Sequence, residues 1–202
     1  MSSALIDGKA DLVSFFESAV REAASARHYD PDSPASLYLA GVLAAYAKPG
    51  AMRPDALDRP LTILLSQALE SRGPDRLNRL LWLGDHVLYV SGFFADHLDR
   101  TGTPRPFVQS IGAMAYDTAA MMLRAIGGEA RGPDVFGELA SNFDALAQVL
   151  GSVADTLYAA SAKDPRGVLE LYERWTRRGS HALAEALVRS GAVPTRGSTV
   201  VH

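Results

Sequence analysis

Asp85 and His86 sit side by side in the segment LGDHVLYVSGFFADHL, and Asp96-His97 repeats the pair eleven residues later. An Asp beside a His is the raw material of acid–base catalysis or of a metal site. Adjacent residues on a helix point about 100° apart, so neither pair converges on one atom. On one continuous helix His86 and His97 stand about 16 Å apart along the axis, too far to share a metal ion. Neither HExxH nor the Glu-x-x-His pairs of di-iron bundles occur, and Cys is absent. No metal and no cofactor are therefore expected.

His86 shares a helical stripe with Trp82, Tyr89 and Phe93. Such a stripe can anchor a ligand in an apolar pocket, with His86 as its polar point or even as a haem ligand. It can equally be core, with the imidazole bonded to a neighbouring side chain or carbonyl. His97 suits a charge or cap at a helix end.

Asp85 lies among Leu81, Leu83, Val87 and Leu88, where a carboxylate is costly unless paired. It reads either as a general base with a raised pKa or as a structural anchor, with Arg79, Arg124 or Tyr116 as its partner. Asn142 falls on an apolar stripe beside Leu139, Phe143 and Leu146, which predicts a buried residue that fixes register by bonding another helix. Tyr116-Asp117 diverge as neighbours. Ser91-Gly92 lacks the Gly-x-Ser-x-Gly frame of a nucleophile. Gly127-Gly128 is followed by no Gly-Lys-Ser/Thr and is not a phosphate loop.

The elements that must position these groups are helical. No stretch alternates with period two, and apolar residues recur every three to four positions throughout. Helices are expected over 8–28, 34–47, 60–71, 77–98, 107–126, 135–157 and 168–187, with 101–106 and 163–165 as breaks. Ser33 reads as an N-cap with Pro34 at the first helical position, and Lys48–Arg59 as irregular. The helix 77–98 is apolar on two opposite faces, which predicts a buried central element. Its continuity depends on whether Ser91-Gly92 interrupts it. The next helix carries the stripe Phe107, Ile111, Met114, Ala115, Thr118, Met121, Met122 and Ala125. Small residues recur on both helices (Gly84, Ser91, Gly92, Ala95; Gly112, Ala113, Ala119, Ala120), which implies close helix approach. The fold class is all-α: one domain over 1–189, a bundle of about seven helices around 77–98, with 190–202 as a loose tail.

The chain has 202 residues, a net charge of −3 and 48% apolar residues, enough for one sizeable core. No basic excess is available for phosphates, so nucleic acid is not expected as a partner. From Lys163 onward seven Lys/Arg stand against four Asp/Glu, about +3 locally, so the remainder carries about −6,. The N-terminus lacks a basic region followed by an apolar run, and 80–94 is too short and too polar for a membrane span. These features predict a cytoplasmic helical protein that does not act at a membrane. It works through a protein partner or as a homo-oligomer, in a regulatory or adaptor role, without a catalytic motif. The alternatives are a ligand-binding bundle with a pocket at Trp82, His86, Tyr89 and Phe93, and an enzyme using Asp85 or His86 as acid–base.

Overall fold

The computed structural model describes residues 2–48, 59–95, 98, 103–127, 132–161 and 164–195. Among them are nine helices and no strand: α1 (Ser2–Ala26), α2 (Pro34–Tyr46), α3 (Leu61–Glu70), α4 (Gly73–Phe93), α5 (Arg105–Gly127), α6 (Val135–Ser141), α7 (Phe143–Ser161), α8 (Pro165–Arg178) and α9 (His181–Arg189). The all-α bundle predicted from periodicity is the observed architecture. Its contacts divide the chain into two units, 1–151 and 152–202.

The count exceeds seven for two local reasons. The expected single helix 135–157 bends at Asn142, whose φ of −114° and ψ of 23° depart from helical values. Its backbone still bridges α6 and α7, because Asn142 N donates to Glu138 O and its own carbonyl accepts from Leu146 N. The expected last helix stops at Gly179, which takes the left-handed conformation (φ 65°) that only glycine adopts at low cost, and α9 starts after Ser180,.

In the first unit α4 packs against α5, α3 and α2, while α2 also packs against α1 and α6. The central helix is displaced from the expected 77–98. It starts at Gly73, and Ser91-Gly92 does not break it. Its inner side buries Leu80, Leu83, Val87, Leu88 and Val90. Gly92 is required there: a Cβ would collide with Leu150 Cβ and lie 3.0 Å from Ala147 O. Ser33 caps α2 as expected, its Oγ accepting from Ser36 N. Glu138 braces the same end, accepting from Ala35 N at 3.2 Å and from Tyr29 OH at 2.7 Å. A carboxylate at a helix N-terminus is favoured by the helix dipole.

In the second unit Leu171, Trp175, Leu183, Ala186 and Leu187 form the core. Asp155 is buried and accepts from Arg174 Nε at 2.8 Å, with Arg178 Nε at 3.4 Å. The Arg174 guanidinium also lies over the Tyr158 ring, 4.5 Å from its centroid,. Of the segment expected to be a loose tail, 190–195 is described. Ala192 N bonds Leu187 O, and Tyr172 OH donates to Thr195 O at 2.7 Å.

The stretch 49–58, expected to be irregular, lies outside the described residues, as do Asp96 and His97.

Candidate functional site

The first unit gathers its polar aromatic residues where α2, α4 and α5 meet. Asp85 projects from α4 between Tyr38 of α2 and Tyr116 of α5. Both phenols donate to the same oxygen, Oδ1, at 2.8 and 2.7 Å. Among the described residues no hydrogen bond reaches Oδ2. Gly84 makes this possible. A Cβ there would sit 2.7–2.9 Å from three carbons of the Tyr116 ring, so only glycine lets that ring lie against α4. Tyr116 is fully buried, and its ring stacks on Phe136 and leans on Phe143.

The electrostatics follow from burial. Removal from water pushes the Asp85 carboxyl up from 3.8 to about 6, against the opposing pull of the two tyrosine hydrogen bonds,. Burial also drives the Tyr38, Tyr46 and Tyr116 hydroxyls far above the ordinary phenol range, reinforced by the nearby Asp85 charge. These phenols stay protonated and act as donors. Asp85 is thus half-buried and paired with two tyrosines and no cation among the described residues. Of the three expected partners the structure selects Tyr116. Arg79 instead bonds Asp75, and Arg124 bonds Asp134.

Beside this cluster runs a ladder of rings. Trp82 stacks on His86 at 5.1 Å, and Tyr89 stacks on Phe93 at 4.9 Å. Tyr46 joins the two pairs from α2, stacked on Tyr89 at 4.5 Å and 5.9 Å from the His86 ring. The four residues expected on one stripe are therefore contiguous through a fifth that periodicity could not supply, because it lies on another helix. His86 is buried, and burial lowers its pKa, so its ring stays neutral at neutral pH. Its Nδ1 lies 3.3 Å from Tyr46 OH, while Nε2 is buried with no hydrogen-bond partner among the described residues. Trp82, by contrast, is 43% exposed, so the ladder leads from the interior to the surface. Chemically this is a neutral imidazole, a carboxyl near its midpoint at mildly acidic pH and an aromatic wall. No group of three or more His, Cys, Asp or Glu among the described residues could hold a metal ion.

Asn142 does not hold register as expected. It is half-buried, and its Nδ2 donates to Glu138 O one turn back on its own side of the bend. Its side chain serves the kink, not a neighbouring helix.

The larger correction concerns α5. Its expected apolar stripe is split, with Ile111 and Ala115 facing the core. Phe107, Met114 and Met121 are 48%, 52% and 59% exposed. Around Ile111 and Ala115 the core side of α5 is built from Val108, Tyr116, Ala119 and Ala120, with Gly112 pressed against Phe143 and Val87. Like α4, α5 is apolar on two faces, but only one is covered. The small residues were the signal for the buried face, since close packing selects them over bulk. On α3, too, Ala68 is the one buried residue, and Ile63 is 47% exposed.

No helix among the described residues is long and apolar enough to cross a membrane. No protein-family model, no curated protein and no solved structure matches the chain.

Proposed function

We propose that this chain is a helical protein-binding module that acts through the outward face of α5, in a regulatory or adaptor role rather than as a catalyst. One observation carries the reading: Phe107, Met114 and Met121 stand seven residues apart, outside the core, on a 23-residue helix. Seven residues make almost two full turns, so the three side chains form one straight apolar row. Large apolar residues aligned in this way favour association over solvation. Methionine also suits a surface that adapts to a partner. Replacing Met114 with a photo-crosslinking amino acid tests this in cells. A discrete higher-mass adduct, lost when Phe107 and Met121 are both changed to Glu and absent from a control probe at Leu169, is the expected result. No adduct at position 114 overturns the reading.

A second reading has its own support. The buried His86 Nε2, without a hydrogen-bond partner among the described residues and next to exposed Trp82 in the ring ladder, suits the polar point of a ligand site for a flat apolar molecule,. Such a ligand would quench or shift Trp82 emission and give purified protein an absorption band, both lost in His86→Ala.

A further inference from the structure

We propose that the partner of the α5 face is a second copy of this chain, docked antiparallel about a two-fold axis. This rests on the protein-binding reading above and names its occupant. Met114, Thr118, Met121 and Ala125 follow one another at intervals of four, three and four residues, the spacing of a helix-pair seam,. Met114, Met121 and Ala125 are exposed, and Thr118 is half-buried. Thr118 brings no loose hydroxyl to this seam, because its Oγ1 donates to Met114 O at 2.8 Å.

The charges beside the seam choose the orientation. Asp117 and Arg124 lie on the same flank, seven residues apart and both exposed. In a parallel pair each would face the flank on the partner's opposite side, which the core helices of the same chain occupy through Ala115. In an antiparallel pair the two flanks meet. With Thr118 packed on the partner's Met121, and Met114 on the partner's Ala125, Asp117 falls beside the partner's Arg124. The two-fold axis then repeats the contact, so one sequence supplies two opposite-charge pairs. Asp117 has no ion pair within its own chain among the described residues. Arg124 donates one N–H to Asp134, and a guanidinium has further donors for a second carboxylate. Phe107 lies beyond the overlap and contributes least.

The test is a charge swap on the purified full-length chain, read by sedimentation equilibrium at about 100 µM protein, well above a micromolar Kd. The wild-type chain should be a dimer, and Met121→Glu a monomer. Asp117→Lys alone places Lys against the partner's Arg124 twice, and Arg124→Glu alone places Glu against Asp117 twice. Each should weaken the dimer at least tenfold. Mixing the two restores both attractive pairs and should recover a mixed dimer near wild-type affinity. Circular dichroism of each variant checks that it is folded, and because recovery requires two folded chains, misfolding does not mimic it. A monomeric wild-type chain overturns self-pairing, as does a dimer indifferent to Met121→Glu, or a mixture that fails to recover. If the chain is monomeric while position 114 crosslinks to a partner of another mass, self-pairing fails and the protein-binding reading stands. If that adduct is absent as well, both fail.

Discussion

Replacing Asp85 with Asn should make the protein more stable at pH 8, although it removes a charged group held by two hydrogen bonds. Burial raises the folded-state pKa of Asp85 from 3.8 to about 6. A raised carboxyl pKa means that the folded chain holds its proton more tightly than the unfolded one. The associated stability is fully present below about pH 4 and is lost as the pH rises through 6. Two pH units at about 1.4 kcal/mol each give about 3 kcal/mol lost at pH 8. Asn cannot ionise, yet its Oδ1 can still accept from Tyr38 and Tyr116. The difference in unfolding free energy between Asp85→Asn and wild type should therefore be near zero at pH 4 and rise to about 3 kcal/mol in favour of Asn at pH 8. Taking that difference at each pH cancels the titration of the other carboxylates. Asp85→Ala supplies the contrast. It leaves two phenols without their acceptor, one of them fully buried, and should lie about 2–4 kcal/mol below Asp85→Asn at every pH, since neither variant titrates at 85,. Urea unfolding at half-unit pH steps measures both, with an unchanged m-value as the check on two-state behaviour. A pH-independent difference between Asn and wild type, or an Asn variant as unstable as Ala, refutes the reasoning.

The other expectations concern packing and the second unit. Gly92→Ala should destabilise by about 1–3 kcal/mol, because the new Cβ meets Leu150 and the α7 backbone,. Gly41→Ala should instead stabilise by about 0.5–1 kcal/mol, since nothing lies within 4 Å of its Cβ and the helix gains a better former,; thermal melts of the two should move in opposite directions. Leu88→Ala, at a side chain with no exposure, should cost about 2–5 kcal/mol in chemical denaturation,. Asp155→Ala strips the buried Arg174 of a carboxylate partner and should cost about 3–5 kcal/mol, read most directly as lost amide protection in α8,.

The helical class and most element ends were legible because they rest on local chemistry. Ser33-Pro34 starts α2 as a cap followed by proline, and apolar spacing located α4 and α5. The side of α5 that faces inward was only partly legible. Ile111 and Ala115 were on the expected stripe, but Met114 and Met121 outweigh Ala119 and Ala120 in apolar bulk, so a rule that turns bulk toward the core centres the stripe too far toward solvent. Only the neighbour reveals that α4 presents Gly84 and Val87, against which a thin surface packs closer. The Asp85 cluster was half legible. The carboxylate announced itself by its apolar neighbours, and Tyr116 was among the partners considered. Tyr38 and Tyr46 arrive from α2, about forty residues away in sequence, where periodicity carries no information. Gly179 and Asn142 were passed over because each interrupts its helix for one residue, and the apolar pattern runs on across the break.

Gly84, Asp85 and Tyr116 are bound into one inherited unit by the contact of a ring with a helix backbone. Any side chain at position 84 displaces the Tyr116 ring. A smaller residue at 116 would make room, but it would also remove one of the two donors on Asp85. An ionisable group at 85 would then lose a partner, and a neutral residue there would fare better. Drift at these positions is therefore expected in concert and not singly: a descendant with Ala at 84 should also carry a smaller residue at 116 and a non-ionisable one at 85. Three positions spread over two helices would then record a single evolutionary event.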